Sequence, residues 1–413
     1  MRRRRPKHPF NGHALLLVLL LATLLSAAGL LAQGELRTLA EARAQARSVE
    51  ALSQAREALI GYALSYAERH PGEGYGYLPC PDAGNSGSST LGACGARDTP
   101  SVGRLPWRTL ALPELRDGWH ECLWYAVAGS IKNNPKPVAL NWDSPGQFAL
   151  LDSTGRRLSV AGPDELAVAV IIAPGAALPA QIRSNTGAGP CPGSASASVD
   201  ITAFLDGGHG SSLVVPATFR QGRTGDATGN DVLAWIGIDD IHDALRRRSD
   251  HADRITRIGT GAAAALAAAL DRPDFIATHL AATAGAPVAT GPLPSAAVLG
   301  LAGEDAAAHD NWRDQFRIAA CIDGAPCVTA HDSDDGTPRL CRAVLLFGGE
   351  RIREGPGRQR RTTTAERADP AQYLEGDNAH NYATGTPQFA GAPLFRATDP
   401  ARPATQDVVQ CIP

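Results

Sequence analysis

His13-Ala14-Leu15-Leu16-Leu17-Val18-Leu19-Leu20-Leu21-Ala22-Thr23-Leu24-Leu25-Ser26-Ala27-Ala28-Gly29-Leu30-Leu31-Ala32 opens a run of 58 residues, 13–70, without a proline. Residues 14–32 carry no charge, and nineteen residues suffice to cross a hydrocarbon core of about 30 Å as a helix. Arg2, Arg3, Arg4, Arg5 and Lys7 precede the run and would hold its N-terminal end in the cytoplasm. Everything after residue 33 is then expected on the far side of a membrane. Residues 35–69 continue as an amphipathic helix, with Leu36, Leu39, Ala42, Ala46, Val49, Leu52, Ala55, Leu59, Tyr62 and Tyr66 at steps of three and four. At about 1.5 Å per residue the whole rod spans roughly 87 Å, and Pro71-Gly72 ends it.

A basic leader ending in Asn11-Gly12, followed by an apolar stretch that runs into an amphipathic helix, resembles the N-terminus of type IV pilins and type II secretion pseudopilins. The resemblance implies cleavage by a prepilin peptidase between Gly12 and His13, methylation of the new terminus, and bundling of the long helices in a filament core. The family usually has Phe and Glu at mature positions one and five; here these are His13 and Leu17. Atypical minor pilins and the tip pseudopilin also lack the Glu, so the departure points within the family to a minor or tip subunit. Two other readings of the same residues stay open: a secretory signal peptide cut near Ser26-Ala27-Ala28, and an uncleaved anchor. Further along, Leu78-Pro79-Cys80-Pro81-Asp82, Pro106-Trp107-Arg108-Thr109-Leu110, Asp117-Gly118-Trp119 and the run 167–175 follow the order found in large bacterial pseudopilin-like proteins. This likeness covers residues 12 to about 270. As chemistry, these short motifs read as turn and packing residues.

At 413 residues the chain is long enough for two domains with sizeable cores. The net charge is −3, and removing the leader's five positive charges takes it to −8. An acidic chain with no basic stripe is a poor nucleic-acid binder. The eight cysteines, Cys80, Cys94, Cys122, Cys191, Cys321, Cys327, Cys341 and Cys411, all follow the apolar run, as disulfides in an oxidising compartment would. The competing reading is a metal site at Cys321, Cys327 and Cys341, although zinc sites favour tighter spacing.

The chain also resembles itself. Asp117-Gly118-Trp119 recurs as Asp310-Asn311-Trp312, and 169–175 as 343–349. Gln181-Ile182-Arg183 recurs as Gln359-Arg360-Arg361, Phe204-Leu205-Asp206-Gly207 as Tyr373-Leu374-Glu375-Gly376, and 231–236 as 407–412. The order is preserved, with offsets of 193, 174, 178, 169 and 176 residues, so a duplicated unit is expected. If each copy closes its own core, Cys80, Cys94, Cys122 and Cys191 pair among themselves, as do Cys321, Cys327, Cys341 and Cys411. The runs 169–173 and 343–347 are short, apolar and closed by Pro-Gly or Gly-Gly, as buried strands are. Residues 238–270 predict one helix, with Gly259 and Gly261 as its weak point, and the Ala/Pro/Gly-rich 271–304 a linker. The expected fold class is therefore α+β: a membrane-spanning helix and then two related β-rich lobes. The divisions are a leader (1–12), the helix (13–70), a first lobe (71–270), the linker (271–304) and a second lobe (305–413).

Catalytic motifs are lacking. His209-Gly210-Ser211-Ser212 does not have the spacing of a nucleophile elbow, and no H-E-x-x-H or phosphate-binding glycine loop occurs. Asp239-Asp240-Ile241-His242-Asp243 reads as a solvated helix start. Asp332, Asp334 and Asp335 alternate as in the opening of a calcium loop but lack the closing Glu, leaving calcium the one weak cofactor candidate. The expected function is thus a non-enzymatic minor subunit of a type IV pilus or type II secretion filament. Its expected partners are other such subunits, the prepilin peptidase and the bacterial inner membrane. The alternatives are an anchored exported binding protein or adhesin, and a periplasmic hydrolase.

Overall fold

The proline-free run forms one helix, α1 (Gly12–Leu64), and one further turn, α2 (Tyr66–Arg69), ahead of Pro71. The computed structural model describes residues 12–160, 166–183, 189–210, 213–223, 226, 228–353, 355, 357–396 and 407–413, the side chains of 12–15, 25 and 27–34 excepted. The leader residues 1–11 lie outside it. At the expected processing site only the helical backbone of Gly12 and His13 is described.

The expected membrane-spanning helix is not what the structure supports. Among the described residues no helix is long and apolar enough to cross a membrane. From Glu35 onward the same helix carries Arg37, Glu41, Arg43 and Arg47. The chain is α+β with several sheets.

The lower half of α1 is a packing element. Burial begins at Ser48 and continues through Ala51, Leu52, Ala55, Leu59, Tyr62 and Ala63 to Tyr66, the three-and-four spacing of one face. That face covers a four-stranded antiparallel sheet of order β1-β2-β4-β6: β1 (Ser101–Arg104), β2 (Trp124–Val127), β4 (Ala169–Ala173) and β6 (Val232–Ile236). Burying each large apolar side chain contributes about 1.5–3 kcal/mol. Gly118 lets the loop before β2 approach the helix: a Cβ there would lie 2.0 Å from the Ala44 carbonyl oxygen, and its N–H donates to Ser48 Oγ at 3.0 Å. Beside the sheet, β3 (Phe148–Leu151) and β5 (Ala217–Arg220) pair in parallel, and α3 (Ala197–Phe204) packs against β1.

Two helices follow where one was expected: α4 (Ile238–Arg246) and α5 (His251–Leu270). The break falls at 247–250, not at Gly259 or Gly261. Arg248 is drawn back to the end of the rod, donating to the Leu64 carbonyl at 3.2 Å and pairing with Glu68 at 2.9 Å and Asp250 at 3.0 Å. The expected linker is also structured. It holds α6 (Phe275–His279), β7 (Ala281–Ala282), β8 (Val288–Pro292) and α7 (Ala296–Leu299). After α8 (Gly303–Trp312), strands β7 and β8 join β9 (Phe316–Cys321), β12 (Ala343–Phe347) and β14 (Val408–Ile412) in a five-stranded antiparallel sheet, β14-β12-β9-β8-β7. A second sheet pairs β10 (Val328–Asp332) with β11 (Pro338–Cys341) and, in parallel, with β13 (Gln388–Gly391). Short helices α9 (Thr364–Ala368) and α10 (Gly376–Thr384) precede β13.

The strand registers align the two copies. Trp124 faces Ile172 and Ile172 faces Leu233; in the second sheet Arg317 faces Leu346 and Leu346 faces Val409. These triplets are related by the offsets 193, 174 and 176 seen in the sequence. Each copy adds one parallel strand pair, β3 with β5 and β10 with β13.

All eight cysteines are bridged: Cys80 with Cys94, Cys122 with Cys191, Cys321 with Cys327, and Cys341 with Cys411. The metal reading of Cys321, Cys327 and Cys341 is thereby removed, and no bridge links the lobes. Loop length ranks the bridges. Replacing Cys341 and Cys411, 70 residues apart, by Ser should cost about 4 kcal/mol, and replacing Cys321 and Cys327, six apart, about 2 kcal/mol. Guanidinium unfolding of the two double variants checks the order.

Candidate functional site

Three regions carry unusual chemistry: the upper part of α1, a buried polar node repeated in each lobe, and the joint between the lobes. Over 16–24, α1 is apolar on every side. Leu16, Leu17, Val18, Leu19, Leu20, Leu21 and Leu24 are each more than half exposed, as are Leu36 and Leu39. From 16 to 43 every described side chain except Glu41 is exposed. Consecutive leucines leave no polar face, and a helix that is hydrophobic all round is one that ends up buried. Leu17, where the pilin family has Glu, lies within this surface at 61 % exposure.

In each lobe an arginine and a glutamine two residues before it organise the turn after the central strand. Arg183 donates to the Gly175 carbonyl at 2.7 Å and to Gln181 Oε1 at 2.6 Å, and its guanidinium lies 5.1 Å from the Phe204 ring centre. Arg361 donates to the Gly349 carbonyl at 3.1 Å and to Gln359 Oε1 at 2.7 Å, 4.4 Å from the Tyr373 ring. Beneath them, Asp231 accepts the Asp206 N–H at 2.9 Å, and Asp407 accepts the Glu375 N–H at 3.0 Å. The matching turns Asp206-Gly207-Gly208-His209 and Glu375-Gly376-Asp377-Asn378 supply His209 to Asp231 at 3.2 Å and Asn378 to Asp407 at 2.8 Å. His209 Nε2 accepts the Arg220 N–H at 3.1 Å, which leaves Nδ1 as the donor to Asp231. Both ring nitrogens are committed, so the pair is a structural strut.

Burial is the main cause that raises Asp231 to about 6 and Asp407 to about 7, with Glu375 adding repulsion at Asp407 and Asn378 and Arg361 opposing it. Such acids keep their proton longer in the folded state than in the unfolded chain, where they titrate near 4. Their contribution to stability therefore falls as pH rises from about 4 to about 7 and then levels. Asp407→Asn keeps the acceptor and mimics the protonated acid. The variant should show a smaller loss of denaturant midpoint between pH 5 and pH 8 than the parent; an equal loss would assign the pH dependence to other groups.

The joint is made by a loop of the first lobe inside the second. Trp142 belongs to the second lobe's core, and its indole N–H donates to Gln315 Oε1 at 2.9 Å. Asn141 donates to the Asn311 carbonyl at 2.7 Å and to Asp314 at 2.8 Å. Asp143 accepts from Gln315 at 2.7 Å and pairs with Arg361 at 3.2 Å, both side chains fully buried. In the first lobe the corresponding Arg183 takes its own Glu121, at 3.2 Å. The second copy thus draws its acid from the first.

The other residues singled out from the sequence do not converge. Asp239 pairs with Arg351 at 3.1 Å and Arg353 at 3.0 Å, Asp240 caps α4 through the Gly237 N–H at 2.7 Å, and Asp243 pairs with Arg246 and Arg353. Asp332 and Asp335 accept N–H groups of their own turn, from Asp334 at 2.9 Å and Thr337 at 2.8 Å, while Asp334 meets Arg396 at 2.5 Å. Among the described residues no three His, Cys, Asp or Glu side chains gather as a metal site would require. The LPCP and PW segments pack on each other: Asp82 accepts the Gly87 N–H at 2.6 Å, and Gly87, at φ +80°, seats against Trp107 where a Cβ would come within 2.5 Å of the ring. Sequence reasoning missed the joint, because Asp143 and Arg361 stand 218 residues apart. It also missed a cavity behind α5. No protein-family model, curated protein or solved structure matches the chain.

Proposed function

We propose that this chain is a non-enzymatic, exported subunit of a pilin-like filament, of the type IV pilus or type II secretion kind, and that the upper part of α1 is its assembly surface. One observation carries the reading: the leucines of 16–24 are exposed on all sides of α1, well ahead of the buried face that begins at Ser48. A single partner groove would cover one side of such a rod. Helices of several neighbouring subunits would cover all of it. The duplicated disulfide-bridged lobes fit an exported body carried by that rod, and their bulk suits a sparse or terminal position. Leu17 in place of a carboxylate agrees with a subunit that need not pair with the terminal amine of a neighbour ahead of it.

Deleting the gene in the producing cell and following assembled filaments and secreted protein tests the reading. Assembly or export is expected to fall, with no enzymatic activity lost. Loss of a defined hydrolytic activity with filaments and export intact would overturn it.

A further inference from the structure

A cavity of about 580 Å³ opens between the turn 72–75 that ends the rod, helix α5, and helices α7 and α8. Glycine and alanine line much of it, including Gly74, Gly261 and Ala265, so space remains where larger side chains would close it. Its lining includes His242, 4 % exposed, whose one polar neighbour is the Asn141 backbone, leaving at least one ring nitrogen without a partner. The indoles of Trp142 and Trp312 lie 6.4 and 6.3 Å from its ring centre. His251, 8 % exposed, also lines the cavity and leaves Nε2 without a partner. Burial holds both imidazoles neutral, His242 near 3 and His251 near 4, with further lowering of His242 by His251. The charged lining is Glu73, Glu304 and Asp305 with Arg254 and Arg257, and Glu73 is paired with Lys136, so the charges around the opening balance.

A neutral imidazole offers one N–H and one lone pair. With the Asn141 backbone taking the His242 N–H, the His242 lone pair and His251 Nε2 remain. Leaving them unmet in a buried site is costly, and a partner that accepts from His251 and donates to His242 satisfies both. A hydroxyl or a primary amide does this. A carboxylate only accepts and an ammonium only donates, and the balanced rim gives neither a net attraction. Ile255, Ile258, Ala262, Ala265 and Leu299 supply an apolar wall beside the histidines, and the volume is of a size typical of small-molecule sites. We propose that this cavity binds a small uncharged amphiphile, its hydroxyl or amide head at His242 and His251 and its apolar body along the alanine face of α5. The proposal is independent of how the rod assembles.

The test uses the full chain, histidine-labelled with ¹³C, titrated with 1-decanol, decanoate and decylammonium at pH 7, with the imidazole resonances as the readout. The resonance that disappears in His242→Phe identifies that ring. Saturable shifts of His242 with decanol are expected, with at least tenfold weaker response to the two charged probes. Ala265→Trp, which fills the cavity and leaves the histidines in place, should abolish the decanol shift while the rest of the spectrum stays folded. Absence of a saturable shift with decanol, equal response to all three probes, or a shift undiminished in Ala265→Trp would each overturn the proposal. The probe comparison on the unaltered chain decides the matter even where a variant fails to fold.

Discussion

Asp143→Ala is expected to destabilise the protein by about 3–5 kcal/mol, the cost of leaving a buried charge without its partner. Asp143 and Arg361 are both fully buried, and Asp143 also accepts from Gln315 at 2.7 Å. Removing the carboxylate strands the guanidinium beneath Tyr373 and removes a bond that fixes the loop carrying Trp142 in the second lobe's core. Guanidinium unfolding followed by tryptophan fluorescence measures the loss. Asp143→Leu combined with Arg361→Met should recover part of it, because an apolar pair of similar volume leaves no charge exposed to the interior. A single-variant cost below about 1 kcal/mol would mean that water reaches the joint and that the two lobes are held by packing alone.

The larger functional effect is expected on the rod. Leu16→Asp, Leu20→Asp and Leu24→Asp lie at steps of four on one flank of α1, well ahead of Ser48, where packing onto the sheet begins. Their effect on the folded body should be small, since surface substitutions away from packed features usually change stability by less than about 0.5 kcal/mol. Their effect on assembly should be large, because each places a carboxylate in a helix–helix contact that excludes water. Incorporation of the triple variant into filaments should fall at least about a hundredfold, equivalent to roughly 2.7 kcal/mol, with the melting temperature of the lobes unchanged. Fractionation of sheared filaments with quantitative immunodetection reads this directly. Undiminished incorporation would show that the rod is not the contact surface.

The parts of this fold that were legible in the sequence are those set by local periodicity or by self-comparison. The buried strands 169–173 and 343–347 announce themselves as short apolar runs between turn residues. The offsets of 193, 174 and 176 relate the residues that face one another across the two sheets, although the first two strands lie 48 residues apart in one (Trp124 to Ile172) and 29 in the other (Arg317 to Leu346). The errors come from contacts between distant residues. Residues 271–304 read as a linker by composition, yet Val288–Pro292 is a strand because β9 stands ready to pair with it. The expected single helix over 238–270 is divided by Arg248, whose partners Leu64 and Glu68 no local rule connects to it. Hydropathy placed a membrane span over 14–32, whereas among the described residues no helix is long and apolar enough to cross a membrane; its continuation into the packed face from Ser48 was legible from the three-and-four spacing. His242 and His251 look ordinary on their helices. Only the packing of α5 against α8 and the turn 72–75 brings both, buried, to the wall of one cavity.

The contact made by the rod is the point on which the account rests most directly. Every native cysteine is already bridged, so Leu20→Cys introduces a single free thiol in the exposed apolar run. Treating assembling cells with a short bifunctional thiol reagent, with cysteines placed at matching positions in neighbouring pilin-like subunits, should give cross-linked species containing this chain and those subunits. A cysteine at Leu340, an exposed position on the second lobe, should give none. If Leu20→Cys stays uncross-linked while filaments form and carry the protein, the rod does not pack among its neighbours and the assembly reading is contradicted.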